Sequence, residues 1–240
     1  MWYNINVGVG NMEKLFEKHE TIFTIGLIVI YVVVNSYLMQ NFGYTSIQSV
    51  IVNTILSILT IALIISIKKV KYYGLTRADN PKKFLYFIPL IIISLFNLRN
   101  RIHINNSSSE IIYHILTMIN IGFLEEIIFR GFLFKMMLKD NAKKAIIVSS
   151  ITFGIGHIVN LLNGADFIPT LLQVCYAIAI GYMLVMIFYK SKSIIPCIIF
   201  HGVFNSLSIF NEGGSTILSS IILMIACLGY GIYINKSIKN

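Results

Sequence analysis

Eight apolar runs recur along the chain, at about 21–39, 47–67, 84–97, 111–138, 145–162, 168–189, 194–211 and 216–235, and they constrain its fold more than any other feature. A helix crossing a bilayer needs about 20 predominantly apolar residues, and most of the runs supply them. The expected fold is therefore all-α: a polytopic membrane helical bundle with about eight transmembrane helices. The run at 84–97 is the weakest of the eight, being short and carrying Pro89. With 56% hydrophobic and only 12% charged residues, the 240-residue chain is too apolar for a soluble domain of its size. No small-residue cleavage site follows the first run, so it reads as an anchor rather than a removable signal peptide.

The net charge of +9 invites a nucleic-acid partner, but the placement of the charges argues for topology instead. With the N-terminus inside, sixteen of the 19 basic residues fall on the cytoplasmic side: Lys14 and Lys18; Lys68, Lys69, Lys71, Arg77, Lys82 and Lys83; Lys135, Lys139, Lys143 and Lys144; Lys190 and Lys192; Lys236 and Lys239. Arg99 and Arg101 fall outside and Arg130 within the membrane. Cytoplasmic connections collect Lys and Arg, so both termini are expected in the cytoplasm of a multi-pass cell-membrane protein, with the lipid bilayer as partner and no nucleic acid. Abundant Ile, Lys and Asn, served by A/T-rich codons, hint at a bacterial source.

The organisation expected is a short N-terminal segment over 1–20, N-terminal transmembrane helices over 21–109, a further helical unit over 110–212, and a last span with a cytoplasmic tail over 213–240. Gly8-Val9-Gly10-Asn11 before Met12 reads as a translated ribosome-binding site, which makes Met12 the expected start. Tyr72 and Tyr73 suit a membrane-water interface, and Asp79-Asn80-Pro81 a turn. Asn105 to Ser109 suits an outer loop ending in a helix start. Cys175, Cys197 and Cys227 lie singly in apolar runs, as small reduced core residues would.

Once the loop charges are set aside, few ionisable side chains are left at depth. Glu125, Glu126 and Arg130 sit inside the run at 111–138, where each bare charge costs a few kcal/mol or more. Glu126 and Arg130 are four apart and stack on one helix face as an ion pair. Glu125 is rotated about 100° from Glu126 and so is free for other work. His157 lies in the run at 145–162, and His201 and Asn205 share a face of the run at 194–211. At about 1.5 Å per residue, all of them fall in the middle third of the bilayer. Taken singly, a buried His or Asn is more often a hydrogen-bonded packing residue. Together they suit water activation by a carboxylate aided by an imidazole, with His and Asn donors for the resulting oxyanion.

Glu125-Glu126-x-x-x-Arg130, Phe153-x-x-x-His157 and His201-x-x-x-Asn205, in this order on separate apolar runs, resemble the signature of the CAAX protease and bacteriocin-processing (Abi) family of intramembrane proteases. The motifs cover about residues 110–212; the first three runs carry none. The resemblance implies an eight-helix bundle with a polar cavity open toward the cytoplasmic side or the lipid. It also implies a CAAX-protease-like endopeptidase acting on membrane-associated peptides or proteins. In it Glu125 activates water with help from His157, His201 and Asn205 form the oxyanion hole, and Glu126 and Arg130 support them.

Two further readings stand beside the protease: a non-catalytic bacteriocin-immunity or interaction protein, and a transporter, which lacks support in the form of an inverted repeat. Glu125, His157 and His201 are permissible zinc ligands with a fourth position for water, so a divalent metal is the one cofactor the sequence leaves open. Against it stand the absence of H-E-x-x-H and the spread of these residues over three helices. His114, three turns before Glu125 and about 16 Å away along the axis, reads as a packing or cavity residue. Cys197 reads as core filler, Asn160 as a residue orienting His157 or capping its helix, and Gly154 and Gly156 as points of close helix approach.

Overall fold

Without water to satisfy them, backbone groups in an apolar run must bond within their own segment, and the described runs do so as helices. The computed structural model describes residues 12–78, 87–99, 102, 104–211 and 216–237. The segment Gly8 to Asn11, the Asp79-Asn80-Pro81 turn, and Lys82, Lys83, Arg101 and Lys239 lie outside those residues. After helical turns over 12–18 come α1 (Glu20–Phe42), α2 (Ile47–Ser66), and α3 (Ile88–Ser94), which a 3-10 turn extends over Leu95–Leu98. Next come α4 (Ser108–Glu125, continuing without a break to Leu138), α5 (Ala142–Gly156, extended to Leu161) and α6 (Phe167–Ser191). The last two are α7 (Ile195–Ser206, extended to Phe210) and α8 (Ile217–Ser237).

Among the described residues six helices are long and apolar enough to cross a membrane, while Ile88–Leu98 and Ile195–Phe210 are shorter apolar helices. The eight expected runs are thus helical wherever they are described, but two of them, including the weak run at 84–97, fall below spanning length. Both starts carry a proline at N1 or N2, Pro89 and Pro196, where a missing N–H does little harm. The loop expected to end in a helix start does so. Ser107 accepts from the Glu110 backbone N–H while the Glu110 carboxylate accepts from that of Ser107, a capping box that opens α4.

Halfway along α4 the hydrogen bonding widens into a π-helix over Glu126–Phe134, and all nine of its residues are buried. Helical steps of 100° therefore do not carry through this stretch; π turns are wider than α turns and are found mostly at functional sites. The core packs around it. Phe132 meets Phe16 and Tyr73 with ring centroids 5.8 and 4.6 Å apart. Tyr73 is thus fully buried rather than interfacial, whereas Tyr72 is half-buried with its ring 4.8 Å from the Lys135 ammonium.

Two close crossings fix the helices around the site. A Cβ at Gly122 of α4 would lie 2.7 Å from the Gly202 backbone nitrogen of α7. A Cβ at Gly154 of α5 would lie 2.8 Å from the Ile178 nitrogen of α6. Small residues let helices in lipid approach backbone to backbone, which is where their packing energy comes from. Gly156 has nothing within 4 Å of such a Cβ, so the expected close approach belongs to Gly154 alone. Of the cysteines, Cys197 and Cys227 are buried as expected but Cys175 is exposed on α6.

Consecutive helices alternate in direction, which gives the bundle two unlike ends. At one end Lys69 pairs with Glu17 at 2.6 Å, Lys68 with Glu13 at 4.0 Å, and Lys139 with Glu20, tying the turns at 12–18 and the start of α1 to the ends of α2 and α4. At the other end uncharged ties join the helices. Ser36 donates to the Asn163 side chain at 2.7 Å, Asn97 donates to the Phe204 carbonyl at 2.5 Å, and an isolated bridge joins Ile102 to Asn211.

Candidate active site

The site forms where α4 passes α7. Because Gly122 and Gly202 allow the two backbones to touch, His201 is carried against the carboxylates at the junction of the α and π segments of α4. Its Nδ1 lies 2.8 Å from Glu126 Oε1; a carboxylate only accepts, so Nδ1 donates. Its Nε2 lies 3.2 Å from Glu125 Oε2, close enough for attraction but not aligned for a hydrogen bond. The two carboxylates thus meet the same imidazole from its two sides.

Behind His201 the surroundings are closed. Glu126 and Arg130 are fully buried and lie 3.0 Å apart as the expected i,i+4 pair. The Arg130 guanidinium also stands 4.1 Å over the Phe153 ring, a cation–π contact that offsets part of its lost hydration. Phe153 turns its edge or face to both histidines, with ring centroids 5.3 Å from His157 and 5.5 Å from His201. A single phenylalanine therefore spaces three of the six residues singled out in the sequence.

In front of Glu125 lies a cavity of about 360 Å³. Glu125, His157 and Asn205 line it, together with His114, Asn35, Asn160, Gln173 and Tyr176. His201 does not line it and is buried behind Glu125. Glu125 is held by one oxygen only: the Tyr31 hydroxyl of α1 donates to Oε1 at 2.6 Å, while Oε2 is buried with no hydrogen-bond partner. Buried polar atoms without a partner are rare, and those that occur call for a reason.

The Nδ1 of His157 lies 3.1 Å from the Phe153 carbonyl. A carbonyl only accepts, so this bond puts the proton on Nδ1 and leaves Nε2 its lone pair. No direct hydrogen bond joins His157 to Glu125 among the described residues, so the cavity they share is what brings them together. The Asn205 side-chain amide has no partner among the described residues either, its backbone carbonyl being met by Ser208 Oγ at 2.6 Å and by His114 Nε2 at 3.4 Å. Asn160 donates to Gln173 at 2.8 Å, which braces α5 against α6 rather than His157. Cys197, buried, has its Sγ 3.5 Å from the Leu184 carbonyl.

The metal set does not come together. Among the described residues no group of three His, Cys, Asp or Glu side chains is disposed to hold a cation, and both ring nitrogens of His201 face carboxylates. Zinc ligands would each turn a lone pair to one point, and Glu125, His157 and His201 as placed do not.

Sequence reasoning overlooked Tyr31, Tyr44 and the Gly122–Gly202 crossing. Tyr44 lines the cavity from the α1–α2 connection, where burial and then the charge of Glu125 push its phenol up to about 12. Tyr31, Asn35 and Ser36 within the apolar run at 21–39 were the available signs that α1 serves the site.

Residues 107–207 match the family described as Type II CAAX prenyl endopeptidase Rce1-like. The span is under half of the chain, runs from the α4 cap through the end of α7, and contains every motif residue named above. Over it, the resemblance to the CAAX protease family is shown. No curated protein and no solved structure matches the chain significantly.

Proposed function

We propose that the protein is an intramembrane endopeptidase in which Glu125 is the general base that activates water for attack on a peptide carbonyl. The observation that carries this reading is the unequal state of the Glu125 oxygens. Tyr31 fixes Oε1, Oε2 faces His201 Nε2 at 3.2 Å without a hydrogen bond, and the residue lines a cavity large enough for a peptide segment and a water. A general base needs its geometry held and one lone pair open, and catalysis by such a positioned group is worth about 10²–10⁴-fold.

In the reaction, the Glu125 carboxylate takes a proton from water as the water oxygen bonds to the peptide carbon. The His157 Nε2 lone pair accepts the second water proton as a hydrogen bond and orients the attack. The carbonyl oxygen becomes an oxyanion, to which the unpartnered Asn205 amide donates. His201, buried behind Glu125 and off the cavity wall, takes the part of a positioning residue: Nδ1 donates to Glu126 and Nε2 faces the Glu125 carboxylate. Collapse of the intermediate breaks the C–N bond, and the proton held by Glu125 passes to the leaving amine. Glu126 and Arg130 anchor His201 through Nδ1, which keeps Nε2 directed at Glu125. Substrates in this reading are membrane-associated peptides or proteins such as secreted peptide precursors, and the setting is the bacterial cell membrane.

A peptide inventory by mass spectrometry tests the reading. Cells, membranes and medium are compared between wild type and Glu125→Gln expressed at equal level. A peptide trimmed only in the wild type is expected and names the substrate and the cut. Equal trimming in both would remove Glu125 from the chemistry, and a phenotype kept by the variant without any trimming would favour an immunity or interaction role.

A further inference from the structure

The cavity occupies only one end of the bundle. Tyr31 and Asn35 come from the second half of α1, Asn97 from the end of α3, His114 from the start of α4, Asn160 from the end of α5, and Ser208 from the end of α7. All of these are ends that alternate helix direction brings together, and the connection residues Tyr44 and Asn163 close the same rim. The basic residues gather at the opposite end. Lys14, Lys68, Lys69, Lys71, Arg77, Lys139, Lys143, Lys192 and Lys236 all flank it, whereas Arg99 is the single Lys or Arg among the described residues at the cavity end. Lys and Arg are retained on the cytoplasmic side of short connections.

We infer that the cavity opens to the extracytoplasmic side of the membrane and takes an extended, internal peptide segment from there, an inference that rests on the peptidase reading above. The chemistry of the wall supports the segment proposed. Side-chain amides dominate its polar part, and the buried Asn35 Oδ1 and the Asn205 amide are without partners among the described residues. An amide donates and accepts, which is what a peptide backbone in extended form requires on each side. Among the described residues lining the cavity there is no Lys or Arg. A C-terminal carboxylate would thus find no counter-ion there, and a bond within a chain is the better substrate. This orientation departs from the opening toward the cytoplasmic side or the lipid that the family resemblance implies.

Thiol labelling in intact cells tests the inference without any need for catalysis. In a Cys175→Ser background, which removes the exposed native thiol, single cysteines are introduced as Ser208→Cys on the cavity wall, Ala165→Cys in the α5–α6 connection and Asp140→Cys in the α4–α5 connection. A membrane-impermeant maleimide is expected to label the first two in intact cells and the third only after permeabilisation. Labelling of Asp140→Cys from outside with Ala165→Cys protected would overturn the orientation. Labelling of Ala165→Cys with Ser208→Cys protected, in cells and after permeabilisation alike, would overturn the opening. Adding Glu125→Gln should leave the labelling pattern unchanged while abolishing cleavage, so the orientation and the peptidase reading fail separately.

Discussion

The two faces of one helix junction behave differently. Behind Glu126, the π segment of α4 is sealed on all sides: nine consecutive residues are buried, Arg130 lies against Phe153, and aromatic rings fill the rest. In front of Glu125, one residue earlier, the wall is an open cavity edged with amides and hydroxyls. The contrast teaches that adjacent, chemically identical carboxylates are given different work by their surroundings. Glu126, one of whose oxygens is likewise without a hydrogen bond, holds a cation and an imidazole in a closed site, while Glu125 lines the cavity. Neutralising or removing a residue on the closed side should damage the fold, and on the open side the rate.

The largest effect is expected from Arg130→Ala. It strands the buried Glu126 carboxylate, and removing one partner of a buried pair costs about 3–5 kcal/mol. Loss of monomeric, detergent-stable protein in fluorescence-detected size exclusion checks this, and a variant as stable as wild type would show that the closed side is not structural. Next comes Gly122→Val at the α4–α7 crossing. The added methyls meet the Gly202 backbone, overpacking of this kind costs about 1–3 kcal/mol, and the shift should also part His201 from the carboxylates. A lowered Tm together with lost cleavage is the expected result.

Much of the closed side is legible in the sequence, because Glu126 and Arg130 stand four apart in an apolar run and charges at depth need partners. The helical fold and the last five runs are legible for the same reason: lipid leaves the backbone few options. The open side is less so. Tyr31 is an ordinary residue in a hydrophobic run, and only its distance from Glu125 across 94 positions of sequence gives it meaning. The π segment breaks the period that a helical wheel for Glu125 assumes, and the crossing of Gly122 with Gly202 is a pairing between two helices that no local pattern announces. The place of His201 between two carboxylates, off the cavity wall, is likewise a consequence of that crossing rather than of its own spacing to Asn205.

Smaller effects sharpen the contrast. Tyr31→Phe removes the donor on Glu125 Oε1 from the open side, a hydrogen bond to a charged group worth about 1.5–3 kcal/mol. It should lower kcat with KM and Tm nearly unchanged, whereas a fall in Tm alone would make Tyr31 structural. Ser107→Ala, far from either side, removes a helix cap worth about 1 kcal/mol and should leave kcat as it is.

The most direct test pairs the neighbours themselves: Glu125→Gln and Glu126→Gln, purified side by side, with Tm and cleavage of the peptide named by the inventory measured on both. The account predicts that Glu125→Gln keeps the wild-type Tm and loses cleavage by about 10²–10⁴-fold, while Glu126→Gln loses Tm first. A Glu125→Gln variant that cleaves at the wild-type rate, or one that unfolds as readily as Glu126→Gln, would contradict the division of labour on which the account stands.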